Sequence, residues 1–401
     1  MSLREELTPR SLLVLVACTA CQMEAGLFYA TQALSGDVID ELGWTRAQWS
    51  SALVPMLFVS SIAQAFAGGA CVRFGVRPVI TCAVLLLGAA SVVLANVHSL
   101  WQLHVAMLLV ALANAGIGDV SVGAVVTRWF DRARGMALGF ATVGSNLGAV
   151  IFVQALAGLS AQGSWREASL QVGLGGAAII LPFALFVIRD PGPGEGADPD
   201  EPRAATPEKQ SRLRETLQQP AFWIFFLTVF GYALAQLGIV NHLRLHLEDL
   251  GYSTREAQGT LSLAIGAGIA AKLGAGVIAL SLTPRVALAA NTLLLAGSFA
   301  LIPYADDPRV LGLFGVVFGI SVAARDVLVP LLVARMFGTR DFAKIFGLVM
   351  LAYAPGGALG PIALGALHDT VGSYAVGFAL VGAILLLAAI GQLRLREPAT
   401  S

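Results

Sequence analysis

The chain has 401 residues, of which 57% are hydrophobic and only 12% charged, with 44 glycines and a formal net charge of zero at pH 7. With a mean hydropathy of +0.77, it is too apolar for a soluble domain of that length, and its composition places it in a bilayer. No basic stripe or basic domain is available to neutralise phosphates, which excludes nucleic acid as a partner.

Met1 to Arg10 is polar. The apolar run that follows, residues 11 to 34, is long enough to span and too long for the core of a cleavable signal, so it reads as predicted helix 1. Further runs near the ~20 residues needed to cross ~30 Å of hydrocarbon fall at 47 to 70, 78 to 97, 101 to 127, 135 to 160 and 168 to 188. A second set occupies 221 to 241, 258 to 282, 286 to 304, 310 to 334, 342 to 366 and 373 to 393. Between the sets, PGPGEGADPDEPRAATPEKQ is polar and rich in proline and glycine, and cannot bury a core. The expected organisation is a bundle over 1–188, a linker over 189–219 and a second bundle over 220–401. The predicted fold class is all-α and integral to the membrane, with twelve transmembrane helices in two pseudo-symmetric six-helix bundles.

The two halves repeat one skeleton. Asp119, Val120, Val122, Val126, Arg128 and Phe130 return 207 residues later as Asp326, Val327, Val329, Val333, Arg335 and Phe337. Leu42-Gly43-Trp44-Thr45 returns as Leu250-Gly251-Tyr252-Ser253, each before the second helix of its half. Gly68 to Arg77 is echoed by Gly276 to Arg285. Anchors that share one offset within a residue point to duplication.

Orientation follows from the basic residues. Eighteen of the 25 lysines and arginines lie at the termini, in the linker and in the loops after even-numbered helices, which puts both termini in the cytoplasm, on a cytoplasmic membrane. The cysteines Cys18, Cys21, Cys71 and Cys82 have no partner pair or histidine at ligand spacing, and read as small apolar filler rather than a metal or redox site. Pro182, Pro330, Pro355 and Pro361 mark expected kinks.

The turn Gly68-Gly69-Ala70-Cys71-Val72-Arg73-Phe74-Gly75-Val76-Arg77 is similar to the major facilitator signature G-x-x-x-D-R-x-G-R-R, with Val72 at the acidic position. Arg128-Trp129-Phe130-Asp131-Arg132-Ala133-Arg134-Gly135, followed by Gly139, Ala141, Gly144, Ser145 and Gly148, resembles the helix 4 to 5 signature of the monocarboxylate transporter and oxalate/formate antiporter branch. The resemblance covers the whole chain and implies the major facilitator fold. Independently of it, small residues along helix 5 let neighbouring backbones approach closely. The turn arginines Arg73, Arg77, Arg128, Arg134 and Arg335 read as positive-inside anchors and as gating candidates.

A charge near the bilayer centre costs ~2.5 to 3.5 kcal/mol, so each one is a functional candidate. There are five: Glu24, Asp119, Lys272, Arg325 and Asp326. Asp119 and Asp326 lie nine residues before Arg128 and Arg335, about 13 Å at ~1.5 Å per residue and so near mid-depth. At the place of Lys272, four residues before Gly276, the resemblance implies a cation that binds the substrate carboxylate and meets an acid one turn earlier; here that earlier position is Gly268. Snorkelling to the interface is the alternative for Lys272. Arg325 stands where the first half has Gly118, and reads either as the substrate's partner or as a counter-ion for Asp326 or Asp119. Neighbours on a helix point about 100° apart, so Asp326 is expected to take its partner from another helix. Glu24 reads as a proton site or as a counter-ion to Lys272, and Asp119 and Asp326 face the same choice between proton coupling and ion pairing. Tyr29, Asn114 and Asn146 complete the binding candidates, with interhelical hydrogen bonding as the alternative for the asparagines.

No P-loop, H-E-x-x-H or G-x-S-x-G is present, so no enzyme, cofactor or metal is expected. The leading expectation is a secondary transporter of a small organic anion, a monocarboxylate, by proton symport or anion exchange with alternating access. A proton-coupled exporter of amphipathic compounds is the second reading and a non-transporting sensor the third. A monomer in contact with membrane lipid is expected.

Overall fold

The computed structural model describes residues 6–27, 34–192, 195–196 and 209–395. Among them, twelve helices are long and apolar enough to cross a membrane. Spans 1 to 6 are Pro9–Leu27, Gln48–Phe74, Val76–Ala95, Leu100–Trp129, Arg134–Ser160 and Trp165–Val187. Spans 7 to 12 are Pro220–Arg244, Glu256–Ala279, Pro284–Tyr304, Pro308–Phe337, Phe342–Val371 and Ala375–Leu393. The chain forms two compact units, Met1–Glu201 with Thr339–Leu348, and Pro202–Gly338 with Val349–Ser401. The short piece at the start of span 11 sorts with the first unit because Gly347 lies against the backbone of Gln64 and Ala65 on span 2.

The repeated turn before the second span of each half is the same device twice. Gly43 has φ +64° and Gly251 φ +90°, a region that favours glycine. Two residues later each copy closes a capping box: Thr45 with Gln48, and Ser253 with Glu256. The chain thus turns sharply and restarts a helix whose first backbone donors are already satisfied.

Several spans are interrupted. Span 1 ends its regular helix at Gln22 and turns at Met23 and Glu24 before resuming. Span 4 breaks at Gly118, so that a second helix, Asp119–Trp129, begins at mid-depth. The single apolar run from 101 to 127 concealed that break, because hydropathy carries no information on backbone continuity. Span 6 passes into a wide turn over Phe183–Val187 directly after Pro182, where the proline has no N–H to donate. Span 11 breaks between Met350 and Tyr353, just before Pro355. Span 10, despite Pro330, stays one helix from Pro308 to Phe337.

Glycines set the closest helix crossings. In the first unit a Cβ at Gly144 or Gly148 would overlap the backbone of Thr19 or Met23, so spans 5 and 1 meet backbone to backbone. In the second unit Gly356 and Gly360 stand in the same relation to Phe230 and Leu234, joining spans 11 and 7. Such contact is the usual route to close helix association in lipid. A buried apolar cluster including Leu243, Leu247, Leu295, Phe299, Phe314 and Phe378 fills the second unit away from its polar centre.

Candidate functional site

The charged centre of the second unit lies beyond the crossing of spans 8 and 10. A Cβ at Gly319 would overlap the backbone of Ala264, so the two helices touch there. Seven residues past Gly319 and eight past Ala264 stand Asp326 and Lys272. Lys272 Nζ lies 3.1 Å from Asp326 Oδ2. Arg325 Nε donates to Asp326 Oδ1 at 3.1 Å, and its Nη2 donates to the same oxygen. Lys272 is 3% and Arg325 8% exposed, so both cations are held out of water and out of lipid.

Two expectations change here. No acid stands one turn before Lys272, at Gly268, but the carboxylate comes from span 10 instead. Asp326 does take a partner on another helix, and also takes its own neighbour, because the arginine side chain is long enough to fold back across the 100° between them. The Arg325 guanidinium carbon lies 5.9 Å from the Tyr232 ring centre and 5.6 Å from that of Tyr353, within the ~6 Å over which a ring face attracts a cation.

A chain of neutral polar groups extends behind this centre. Asn291 Nδ2 donates to Tyr232 Oη at 2.8 Å and to the Ser321 carbonyl at 2.8 Å. Thr292 Oγ1 is 3.2 Å from Tyr232 Oη and donates to Gln392 Oε1 at 3.0 Å, and Gln392 Nε2 donates to Thr228 Oγ1 at 2.9 Å. Spans 7, 9, 10 and 12 are thereby tied by side chains that carry no charge. Sequence reasoning passed over Asn291, Thr292, Tyr232 and Gln392; the available signal was the isolated polar residue in an otherwise apolar helix, which in lipid must find an internal partner.

The first unit treats its acids differently. Asp119 stands in the first turn of the half-helix that starts after Gly118, where the unpaired backbone N–H groups favour a negative charge. Gln22 Nε2 donates to Asp119 Oδ1 at 2.9 Å. Glu24, in the interruption of span 1, is fully buried. Neither of its carboxyl oxygens has a hydrogen-bond partner among the described residues. Asn114 Nδ2 donates to Ser60 Oγ at 3.3 Å, linking spans 4 and 2, and Asn146 Oδ1 accepts from Ser145 Oγ at 3.4 Å. Tyr29 lies outside the described residues.

The arginine-rich end of the first unit is a fastening. Arg128 pairs with Asp190, Arg77 Nε donates to the Ile188 carbonyl at 2.8 Å, and Trp129 Nε1 donates to the Arg189 carbonyl at 2.8 Å. Glu6 accepts from the backbone N–H groups of Asp131, Arg132 and Ala133 at 3.2, 3.0 and 3.0 Å. Glu195 bridges Arg10 at 2.6 Å and Arg189 at 2.7 Å. The Gly192 N–H, followed by the hydrogen bond from Arg10, holds the Glu195 carboxyl below its ordinary value. Arg134 bonds to the Phe130 carbonyl and to Asp131, both at 3.0 Å, while the Arg73 guanidinium carbon lies 5.0 Å from the Phe74 ring centre. Arg335 occupies the last turn of span 10.

Comparison with known proteins agrees with this architecture. The family model described as Major Facilitator Superfamily matches residues 13–296. Monocarboxylate transporter 13 of Bos taurus is 26% identical over 329 residues, covering 78% of this chain and 72% of that protein. Monocarboxylate transporter 11 of Homo sapiens is 27% identical, over 84% of this chain and 72% of its own. The oxalate:formate antiporter of Oxalobacter formigenes is 28% identical, over 63% and 58%. Among solved structures, the E. coli fucose:proton symporter superposes with a TM-score of 0.75 at 15% identity, over 97% of this chain and 99% of that one. The human organic anion transporter MFSD10 gives 0.70 at 16%, over 96% and 100%. These relatives and neighbours are transporters, not enzymes. With a family match over most of its length and twelve candidate spans in a duplicated sequence, the chain belongs to the major facilitator superfamily and is a multi-pass membrane transporter of a small molecule.

Proposed function

We propose that the protein carries a small organic anion, a monocarboxylate, across the cytoplasmic membrane by alternating access, with both termini in the cytoplasm. The observation that carries this reading is the pair of buried cations, Lys272 and Arg325, gathered on one carboxylate in the second unit. Charges held at this depth are costly and are kept for use, and an organic anion entering the site can take over the cations from Asp326. The relatives named as monocarboxylate transporters and as an oxalate:formate antiporter support the same substrate class. Asn114 and Asn146, and Tyr29, are assigned to the substrate path in the first unit. Gating at the arginine-rich end is assigned to Arg73, Arg77, Arg128, Arg134 and Arg335, supported by the bonds that fasten Arg77, Arg128 and Arg134.

For coupling we favour proton symport through Glu24. Asp119 accepts a bond from Gln22 and Asp326 is bound by two cations, so either would have to release a partner to take up a proton. Glu24 has both oxygens without such a bond among the described residues. The same observation, taken alone, also suits a proton-driven exporter; the paired cations favour an anion as cargo.

The test is uptake of labelled monocarboxylates into vesicles. Lys272→Gln and Arg325→Gln are each expected to lower it about 10- to 100-fold, the worth of a charge-assisted hydrogen bond, at unchanged membrane expression. Unchanged uptake in both variants sinks the assignment. Glu24→Gln is expected to abolish uptake driven by a pH gradient and to retain exchange of internal for external substrate; loss of both would remove Glu24 from the coupling role.

A further inference from the structure

We propose that Asn291, on span 9, is a positioning residue for Arg325: one amide fixes both the helix turn that carries this arginine and the aromatic ring near its guanidinium. The inference rests on the carboxylate-transport reading above, in which Arg325 receives the substrate.

Asn291 is buried, and an amide inside a membrane span has to find its partners within the protein. Its Nδ2 lies 2.8 Å from the Ser321 carbonyl oxygen and 2.8 Å from Tyr232 Oη. A carbonyl oxygen only accepts, so the NH2 group and not the amide oxygen faces Ser321, and the orientation of the amide is settled. Its two hydrogens go one to each partner.

The first partner reaches the backbone of Arg325. Span 10 is one continuous helix from Pro308 to Phe337, and in such a helix the carbonyl of residue 321 accepts from the N–H of residue 325. Asn291 therefore holds the carbonyl to which the N–H of Arg325 is bound. The second partner reaches its side chain. The single hydrogen of the Thr292 hydroxyl goes to the Leu288 carbonyl at 2.9 Å or to Gln392 Oε1 at 3.0 Å, which leaves its oxygen to accept from Tyr232 Oη at 3.2 Å. Consecutive residues of span 9 thus pin the phenol from both sides, one as donor and one as acceptor. The fully buried ring stands 5.9 Å from the Arg325 guanidinium carbon. Joining two helices would take one of the Asn291 bonds; the two together converge on a single residue. A cation within reach of a fixed ring keeps fewer orientations, and a binding group ordered beforehand costs less to order when the ligand arrives.

The experiment compares purified wild-type protein with Asn291→Leu, which keeps the size of the side chain and removes its donors, and with Tyr232→Phe, which keeps the ring and removes its hydroxyl. Each change is also made together with Arg325→Lys. Pyruvate, lactate and benzoate are titrated at pH 7, and the concentration giving half-maximal thermal stabilisation is read separately from the melting temperature without ligand. Asn291→Leu is expected to raise that concentration about tenfold and Tyr232→Phe about threefold, the worth of the hydrogen bonds removed. In the presence of Arg325→Lys each change is expected to move it less than about twofold, because an ammonium lacks the planar group that the ring orients.

A merely structural tie would lower the melting temperature of the ligand-free protein and leave the half-saturating concentration of each acid where it was; that result overturns the proposal. So do shifts of equal size with and without Arg325→Lys. Should Asn291→Leu fail to fold, Tyr232→Phe decides, and an unchanged half-saturating concentration in that variant overturns the proposal while the carboxylate reading stands. A wild type that none of the three acids stabilises overturns the carboxylate reading, and the role of Asn291 with it.

Discussion

Asp119 and Asp326 occupy one position of a duplicated helix, yet the two units stabilise them by different means. In the first unit the helix stops at Gly118 and restarts, so Asp119 sits on a helix N-terminus and takes a bond from the amide of Gln22. In the second the helix runs on, Gly118 is replaced by Arg325, and the carboxylate is held by that guanidinium and by Lys272. One acid is compensated by peptide dipoles and a neutral amide, the other by full charges on flexible side chains. Peptide dipoles are fixed in the backbone. Side-chain cations can be handed to a ligand, and this is the property that the substrate role proposed for Lys272 and Arg325 requires.

The comparison breaks first, and by the largest amount, on removal of each acid's charge. Asp326→Asn removes the carboxylate that two buried cations share and is expected to cost about 3 to 5 kcal/mol. Asp119→Asn keeps an oxygen that can accept from Gln22, and its weakened interaction with the helix end is expected to cost about 1 kcal/mol. Denaturant or thermal unfolding of the two variants in one detergent gives the ranking directly; equal losses would overturn it.

A smaller effect is expected at the break itself. A Cβ at Gly118 would lie 2.7 Å from the Asn114 carbonyl oxygen and 3.3 Å from its side-chain oxygen, so Gly118→Ala must displace one of them. A cost of about 1 to 3 kcal/mol is typical of such overpacking. Unfolding of the variant measures it, and an unchanged stability would show that the break tolerates a side chain and that Arg325 could have arisen in either half.

The least effect is expected outside the membrane, where solvent screens charge. Glu195 is held below its ordinary value of 4.5 by the Gly192 N–H and Arg10. Its contribution is therefore fully present above pH 4.5 and is lost as pH falls through the lowered folded-state value. The stability difference between wild type and Glu195→Gln should accordingly be flat above that pH and shrink below it. A difference that grows on acidification contradicts the bridge to Arg10 and Arg189.

Much of this could be read from residue order. Hydropathy located all twelve spans, because crossing a fixed hydrocarbon thickness imposes a length on each. The offset repeat located the Gly43 and Gly251 turns, whose positive φ accounts for the glycine in both copies. Lys272, Arg325 and Asp326 stood out by their cost in a bilayer, and the structure brings these three together. The partner of Lys272 was not legible, because it comes from another span and depends on how Gly319 lets span 10 approach span 8. The break at Gly118 was hidden for a related reason: an apolar sequence reads the same whether its backbone is continuous or not. The repeat held the clue, since glycine in one copy stands against arginine in the other.

The glycine crossings have a thermal consequence. At Gly144 against Thr19, Gly356 against Phe230 and Gly360 against Leu234, the nearest atom to the missing Cβ is in each case a carbonyl oxygen. The hydrogen that takes the Cβ's place points at that oxygen, the arrangement of a weak Cα–H···O bond. Such contacts exchange lipid for helix rather than water for protein, so separating the helices exposes little surface to water and involves little change in heat capacity. The seams between spans 1 and 5, and between spans 7 and 11, should therefore keep their strength on cooling, where a soluble core held by apolar burial would weaken.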